Sequence, residues 1–138
     1  MLPDPHDFKH LRILLADDSV AYRKILRLLL NRLGCTEIVE APNGKIALSK
    51  IHEKPPDLLI SDWYMPAVGG LDLVRRIRWE GYTFPVIMCT TESERIRVRE
   101  AARAGVTLYV VKPFTKETLI AKIKEALDRT PRPSLKTP

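Results

Sequence analysis

The chain has 138 residues, 45% of them hydrophobic and 29% charged, which is the size and composition of one ordinary globular domain. No apolar stretch approaches the ~20 residues of a transmembrane helix, and residues 1–10 have no apolar signal-peptide core. Two cysteines are too few for a disulfide framework, so we expect a protein of the reducing cytoplasm. The 23 Lys and Arg residues outnumber the 17 Asp and Glu residues, and this net charge of +6 on its own favours a nucleic acid or another anionic partner.

Short apolar runs alternate with segments of helical spacing through the central part of the chain. The run 13–16 predicts the first strand, and apolar residues three and four apart predict a helix over 21–33 that Gly34 ends. Asn43 and Thr115 are the expected N-caps of the second and the last helix. In chain order, the remaining elements are a strand over 37–41, a helix over 45–52, a strand over 58–60, a helix over 70–79, a strand over 86–89, a helix over 93–104, a strand over 108–111 and a helix to about residue 128.

The predicted strands are continuous apolar runs, and strands of this kind are buried on both faces. Right-handed crossovers then place helices on both sides of a parallel sheet. We therefore predict an α/β fold, a doubly wound parallel sheet of five strands, over residues 11–129. Prolines interrupt both flanking segments, so we expect residues 1–10 to be an N-terminal tail and residues 130–138 a proline-rich C-terminal tail or a truncated linker.

Polar side chains follow four of the five predicted strands: Asp17 and Asp18 the first, Asp62 the third, Thr90 the fourth and Lys112 the fifth. The carboxyl ends of the strands form the binding edge of an open parallel sheet. Taken one at a time, these residues have ordinary explanations such as a helix cap or a turn. Together, three carboxylates on one edge repel one another, and one lysine does not neutralise them. The pattern therefore predicts a bound divalent cation, and oxygen ligands favour Mg²⁺.

A magnesium ion beside a carboxylate, with a lysine and a hydroxyl opposite, is suited to phosphoryl transfer. Asp62 would be the nucleophile and would form an aspartyl phosphate. Lys112 and the metal would neutralise charge on the phosphoryl oxygens, and Thr90 would hydrogen-bond one of them. Histidine-based chemistry is disfavoured, because the three histidines lie outside the predicted edge (His6, His10 and His52).

Four segments, in their order and spacing, resemble the receiver domains of response regulators in two-component signalling, and most closely the single-domain chemotaxis regulators. The resemblance extends over residues 12 to about 128, and its segments are 13–19, 60–66, 86–91 and 109–114. It implies a flavodoxin-like (βα)5 fold with strand order 2-1-3-4-5. It further implies a phosphorylation switch that controls a partner protein, rather than an enzyme.

The resemblance also implies a role for each matching residue of the predicted edge. Asp17, Asp18 and Asp62 would hold Mg²⁺, with Mn²⁺ as an alternative. The backbone carbonyl of Tyr64 would be a further metal ligand. Asp62 would accept the phosphoryl group from a sensor histidine kinase or a phosphotransfer protein, and Lys112 would pair with that group.

Thr90 and Tyr109 are implied to move on phosphorylation and to alter the surface formed by the fourth helix, the fifth strand and the fifth helix. The predicted output face consists of Arg95, Val98, Arg99, Arg103 and Tyr109. It would dock an acidic target or a second receiver, in a monomer or a weak receiver dimer. The three arginines recur every four residues, and the alternative to an output face is an ordinary solvated face of the helix. On such a face Glu92 and Glu100 would partly relieve the repulsion between the arginines.

Two features near the third helix carry their own expectations. Gly69 and Gly70 stand where the family commonly has an acidic or polar residue before a glycine, so we expect a looser start to that helix. Trp79 is expected to cover the end of the same helix.

Several other functions compete with the phosphorylation switch. A magnesium-dependent hydrolase would need a substrate pocket and a second acid–base residue, and neither is evident. A flavin carrier would need a hydroxyl-rich loop after the first strand, where this chain has two acids that repel a phosphate. A receiver cut from a larger regulator and a phosphate-independent interaction module remain alternatives. Because the basic residues are spread over the helices and interleaved with acids, we expect no direct nucleic acid binding and no membrane binding.

Overall fold

The computed structural model describes residues 8–91 and 97–129. Five parallel strands form one sheet in the order β2-β1-β3-β4-β5, which confirms the predicted fold class and strand order. The order places β1 and β3 side by side at the centre, with β4 next to β3. The strands are β1 (Arg12–Ala16), β2 (Glu37–Ala41), β3 (Leu58–Asp62), β4 (Val86–Thr90) and β5 (Leu108–Val111).

Helices cover both faces of the sheet. They are α1 (Val20–Arg32), α2 (Gly44–Glu53), α3 (Gly70–Trp79), α4 (Val98–Ala104) and α5 (Lys116–Arg129). Buried residues of α1 and α5 pack on one face, and those of α2, α3 and α4 on the other. The fourth helix was predicted over 93–104; residues 92–96 lie outside the described part, and α4 begins at Val98 within it. None of the described helices is long and apolar enough to cross a membrane.

The burial of β1 explains why it appears in the sequence as a continuous apolar run. Ile13 and Leu15 face the α1 and α5 side, whereas Leu14 and Ala16 face the other side, and all four are buried. Fully burying a leucine or isoleucine side chain contributes about 1.5–3 kcal/mol, so this strand stabilises both halves of the core.

Short polar side chains begin three of the helices. The hydroxyl of Ser19 accepts a hydrogen bond from Tyr22 N at 3.1 Å at the start of α1. Asn43 Oδ1 accepts from Ile46 N at 2.8 Å and Thr115 Oγ1 from Thr118 N at 3.1 Å, which confirms the two predicted caps. These caps hold the helices at the same edge as the carboxyl ends of the strands.

Two aromatic residues lie differently from the sequence expectations. The last part of the predicted N-terminal tail, Phe8–His10, forms a 3-10 turn whose Phe8 ring is buried in the α1 and α5 core. The expectation that Trp79 covers the end of α3 is wrong, because its side chain is 82% exposed. Ile77, two positions earlier, is fully buried, and residues two apart point to different sides of a helix.

Candidate functional site

Three carboxylates meet at the carboxyl edge of the sheet. Asp17 and Asp18 directly follow β1, and Asp62 is the last residue of the neighbouring β3. Oxygen atoms from the three groups all lie within 4.8 Å of one another. Asp17 is buried, Asp62 is partly buried and Asp18 is exposed, so the cluster opens to solvent on one side.

Asp17 is held in place from several directions. Its Oδ1 accepts a hydrogen bond from Ser19 N at 2.8 Å, and its Oδ2 lies 3.2 Å from Lys112 Nζ. Its backbone N–H donates to the Ala41 carbonyl at 3.1 Å, and its own carbonyl accepts from the Arg23 guanidinium. These contacts fix the buried carboxylate at the junction of β1, β2 and α1.

Only one of the two carboxylate oxygens of Asp62 has a hydrogen-bond or ion-pair partner in the described part of the chain. Its Oδ1 accepts from Trp63 N at 2.8 Å and lies 3.4 Å from Lys112 Nζ. Within residues 8–91 and 97–129, its Oδ2 receives no hydrogen bond, which leaves one oxygen of the carboxylate available as a ligand or nucleophile. Burial raises the pKa of Asp62, Lys112 opposes that rise, and Asp17 adds to it.

Lys112 reaches the acidic cluster from the far side of the sheet. It follows β5, its backbone N–H donates to the Thr90 carbonyl at 2.7 Å, and the peptide bond to Pro113 is cis. Burial lowers the pKa of its ammonium, but Asp62 and Asp17 outweigh that effect, so the pKa is raised. One ammonium therefore faces two of the three carboxylates, and an excess of negative charge remains for a cation to bind.

Tyr22 is a site residue that the sequence analysis missed. The centroid of its ring lies 4.2 Å from Lys112 Nζ, a cation–π geometry, and its ring contacts Phe114 edge-on at 6.1 Å. Its position three residues after the cap Ser19 places it in the first turn of α1, beside the end of β1. This spacing from Ser19 is the sequence feature that could have indicated a place for Tyr22 beside the site.

Thr90 is the last residue of β4, and Tyr109 lies on the neighbouring β5, nearer the start of that strand. Thr90 is 2% exposed, and its hydroxyl donates to the Thr91 carbonyl at 3.3 Å. Tyr109 is partly buried against the core on the α2 to α4 side and pairs in register with Met88. The structure thus brings the Thr90 hydroxyl to the edge of the sheet that carries Asp62. On β5, Thr90 pairs with Val111, and Tyr109 lies two residues before Val111.

A second contact network starts directly after Asp62. Tyr64 is 58% exposed, and its hydroxyl accepts a hydrogen bond from Arg97 Nη1 at 3.3 Å. The Arg97 guanidinium also lies 5.3 Å from the centroid of the buried Trp63 ring. The sequence offered no sign of this contact, because it joins a loop to a helix start 33 residues away.

The structure divides the predicted output face. Arg99 and Arg103 line a groove between α3 and α4, whereas Tyr109 lines a separate depression with Pro113 and Phe114. Val98 is partly buried at the start of α4. Arg95 lies outside the described residues.

Comparisons with known proteins agree with this geometry. Residues 13–124 match the family model of the response regulator receiver domain. The chain is 42% identical over 121 residues to the chemotaxis protein CheY of Pseudomonas aeruginosa, covering 86% of this chain and 98% of that protein. It is 39% identical over 120 residues to the chemotaxis protein CheY1 of Helicobacter pylori, covering 85% of this chain and 97% of that protein.

Solved structures show the same likeness. The chemotaxis protein CheY4 of Vibrio cholerae aligns with a TM-score of 0.78 and 33% identity, covering 84% of this chain and 98% of that chain. NtrX from Brucella abortus aligns with a TM-score of 0.79 and 28% identity, covering 86% of this chain and only 27% of that much longer chain. The fold, the acidic edge and the family match agree, and the chain belongs to the family of response regulator receiver domains, the signalling modules of two-component systems.

Proposed function

We propose that this receiver is a phosphorylation switch in which Asp62 accepts a phosphoryl group from a sensor histidine kinase or a phosphotransfer protein. One observation carries the proposal: the Asp62 carboxylate lies 3.4 Å from the Lys112 ammonium, in a cluster of three carboxylates that each bring one oxygen within 4.8 Å of the others. Nothing in a stable fold requires that concentration of like charge, whereas phosphoryl transfer uses it to bind a cation.

The proposed step forms one bond and breaks one. Oδ2 of Asp62 attacks phosphorus, and the bond from phosphorus to the donor's imidazole nitrogen, or to the acetate oxygen of acetyl phosphate, breaks with its electron pair leaving on the donor. Asp62 needs no general base, because a carboxylate is already ionised for attack. Lys112 then balances charge on the phosphoryl oxygens, and the Thr90 hydroxyl turns from the Thr91 carbonyl to donate to one of them.

The donor set fits Mg²⁺, since it consists of carboxylate oxygens with one side open to solvent. Asp17, Asp18 and Asp62 would hold the ion, with the backbone carbonyl of Tyr64 as a further ligand, and Mn²⁺ is a chemically similar substitute. The ion supplies positive charge that offsets the build-up of negative charge during transfer. Lys112 holds Asp17 and Asp62 in position for it.

The proposed output runs through Thr90 and Tyr109 to the surface of α4, β5 and α5. Movement of Thr90 frees space beside the neighbouring strand, and Tyr109, which is only partly buried, can then rotate. A target that binds one rotamer better shifts the population towards it. The depression lined by Tyr109, Pro113 and Phe114 is the proposed docking position for that target. Val98, which is partly buried on α4, remains a further proposed residue of the output face.

We further propose that residues 11–129 act as the receiver, with the buried Phe8 extending its packing at the N-terminal side. NtrX, which this chain matches over 27% of its length, is an example of a receiver within a longer protein. A receiver of a larger regulator would use the same phosphoacceptor chemistry, so this alternative leaves the proposed role of Asp62 unchanged.

The proposal is tested by incubating the protein with acetyl phosphate, with and without Mg²⁺, and measuring its intact mass. Wild type is expected to gain one labile phosphoryl group only when Mg²⁺ is present. Asp62→Asn is expected to gain none, and Asp57→Asn, a matched substitution away from the cluster, to gain one. If neither acetyl phosphate nor any histidine kinase phosphodonor modifies folded wild type, the proposal is wrong.

A further inference from the structure

A basic groove of about 870 Å³ lies between α3 and α4 and is separate from the Tyr109 depression. Among residues 8–91 and 97–129, five arginines line it together with one carboxylate, Glu100. The arginines are Arg75 and Arg78 from α3, and Arg97, Arg99 and Arg103 from the α4 region. Within the described lining residues, one carboxylate faces five guanidinium groups, so these walls attract an anionic group.

Three of the five arginines are already engaged. Arg75 and Arg97 both bind Glu100, each with a nitrogen–oxygen distance of 3.2 Å. Arg78 donates to the Gly105 carbonyl at 3.0 Å and to the Tyr82 carbonyl at 3.1 Å. These contacts already engage three of the guanidinium groups, which are therefore less available to a partner.

The other two arginines are available. Arg99 and Arg103 are exposed and one helical turn apart on α4, and neither forms an ion pair within residues 8–91 and 97–129. Like charges at this spacing oppose each other on a helix, so an anionic partner between them would relieve repulsion as well as gain attraction. Their forked guanidinium groups match carboxylates in bidentate geometry.

Trp79 adds an apolar contact to this charged groove. Its indole lines the groove and is 82% exposed, which is more than any other large hydrophobic side chain in the described part of the chain. Tryptophan and arginine are the residue types that dominate binding energy at protein interfaces. An exposed indole beside two available guanidiniums therefore favours a protein segment as the partner.

We propose that the α3–α4 groove docks an acidic segment of a partner protein, with carboxylates on Arg99 and Arg103 and an apolar side chain against Trp79. A second copy of this chain is a poor occupant, because each copy carries a net charge of +6. Nucleic acid is also a poor fit, since its closely spaced phosphates are bound by a long row of cations, and the described part of the groove has two guanidiniums without an ion pair. None of Asp17, Asp18 and Asp62 lines this groove, so docking here is expected in the unphosphorylated protein.

The test measures fluorescence anisotropy of a fluorescein-labelled peptide in which glutamates flank a phenylalanine. A glutamine version of the peptide and an oligothymidylate are the comparison probes. Wild type is expected to prefer the glutamate peptide over both. The double variant Arg99→Glu/Arg103→Glu should lose about tenfold in affinity, the size expected from two exposed ion pairs, and Trp79→Ser should also weaken binding.

A charge-matched control is available on α1, where Lys24 and Arg32 are exposed. Lys24→Glu/Arg32→Glu changes net charge equally and should bind the peptide as wild type does, as should Asp62→Asn, which separates this surface from the phosphoacceptor. Circular dichroism verifies that each variant folds. Equal loss in both double variants, loss in Asp62→Asn, or no preference for glutamate over glutamine overturns the proposal. Tighter binding of oligothymidylate, lost in the α4 variant, assigns the groove to nucleic acid instead.

Discussion

Gly70, the first residue of α3, lies directly against the backbone carbonyl of Asp62: a Cβ added at Gly70 would be 2.1 Å from that oxygen. The Gly70 N–H also donates to the Trp63 carbonyl at 2.8 Å. We predict that Gly70→Ala destabilises the protein by about 1–3 kcal/mol, because the clash is with backbone that cannot move aside cheaply. Urea unfolding measures the free energy, and the rate of phosphorylation by acetyl phosphate should fall as Asp62 is displaced.

Gly69→Ala is the matched control for that substitution. A Cβ at Gly69 would lie 3.5 Å from the Trp63 carbonyl oxygen, an ordinary contact, and the residue has a φ of −74°. Its free energy of unfolding should stay within about 0.5 kcal/mol of wild type. Equal destabilisation by both substitutions would show that the close approach of Gly70 to Asp62 is not what constrains this helix.

The ion pairs of Glu40 should make the free energy of unfolding depend on pH. Burial by itself would raise its pKa, but Arg27 at 2.7 Å and Arg23 at 2.9 Å more than offset this, so the pKa is lowered. A carboxyl with a lowered folded-state pKa stabilises the fold above its unfolded pKa of about 4.3 and loses that contribution as pH falls through the folded value. Glu40→Gln should therefore cost about 1 kcal/mol at neutral pH and progressively less in acid.

Urea unfolding at a series of pH values from neutral to acid measures this difference. Glu53→Gln is the control, because Glu53 is exposed and forms no ion pair in the described part of the chain. If the free energies of unfolding of wild type and Glu40→Gln differ by the same amount at every pH of the series, the prediction is contradicted.

Both cysteines should be unreactive in the native protein. Burial, with smaller contributions from Asp57 and Glu37, raises the pKa of Cys35 to about 11. Burial raises that of Cys89 to about 12, against an opposing effect of Lys112. Since the thiolate is the reactive form, a thiol reagent at neutral pH should label neither residue in buffer and both in urea. Rapid labelling of folded protein would contradict the burial of these side chains.

Asp18 is expected to affect metal binding and metal-free stability in opposite directions. Asp18→Asn removes one of three mutually repelling carboxylates, so the metal-free protein should be unchanged or up to about 1 kcal/mol more stable. It also removes an oxygen ligand of the proposed Mg²⁺ site, so the rise in Tm that Mg²⁺ gives wild type should shrink. Thermal melts with and without Mg²⁺ measure both effects, and Asp72→Asn on α3 should keep the wild-type response. A full Mg²⁺ response in Asp18→Asn would exclude Asp18 as a ligand.

The parts of the site that the sequence predicted are those tied to strand ends. Parallel strands bring their carboxyl ends to one edge, so residues directly after β1, β3 and β5 must approach one another whatever the helices do. Asp17, Asp62 and Lys112 follow from that rule, and their distances of 3.2 and 3.4 Å agree with it. Helix caps such as Asn43 were predictable for a similar reason, since they depend only on local sequence.

Contacts that depend on how a helix is rotated against its neighbour were not predictable. Arg99 and Arg103 line a groove with α3 residues, and Tyr109 is not among its described lining residues; their spacing on α4 did not indicate this neighbour. Gly70 was interpreted as a loosening of α3, whereas it is the residue that permits α3 to approach Asp62. These relationships arise from packing between elements distant in sequence, which spacing within one element does not encode.

The most direct test of the central claim locates the phosphoryl group on the chain. After phosphorylation with acetyl phosphate and Mg²⁺, borohydride reduces the acyl phosphate, and peptide mass mapping identifies the aspartate converted to homoserine. Conversion at Asp62 alone is the predicted result. Conversion at Asp17, at Asp18 or at a residue outside the cluster, with Asp62 left intact, would contradict it.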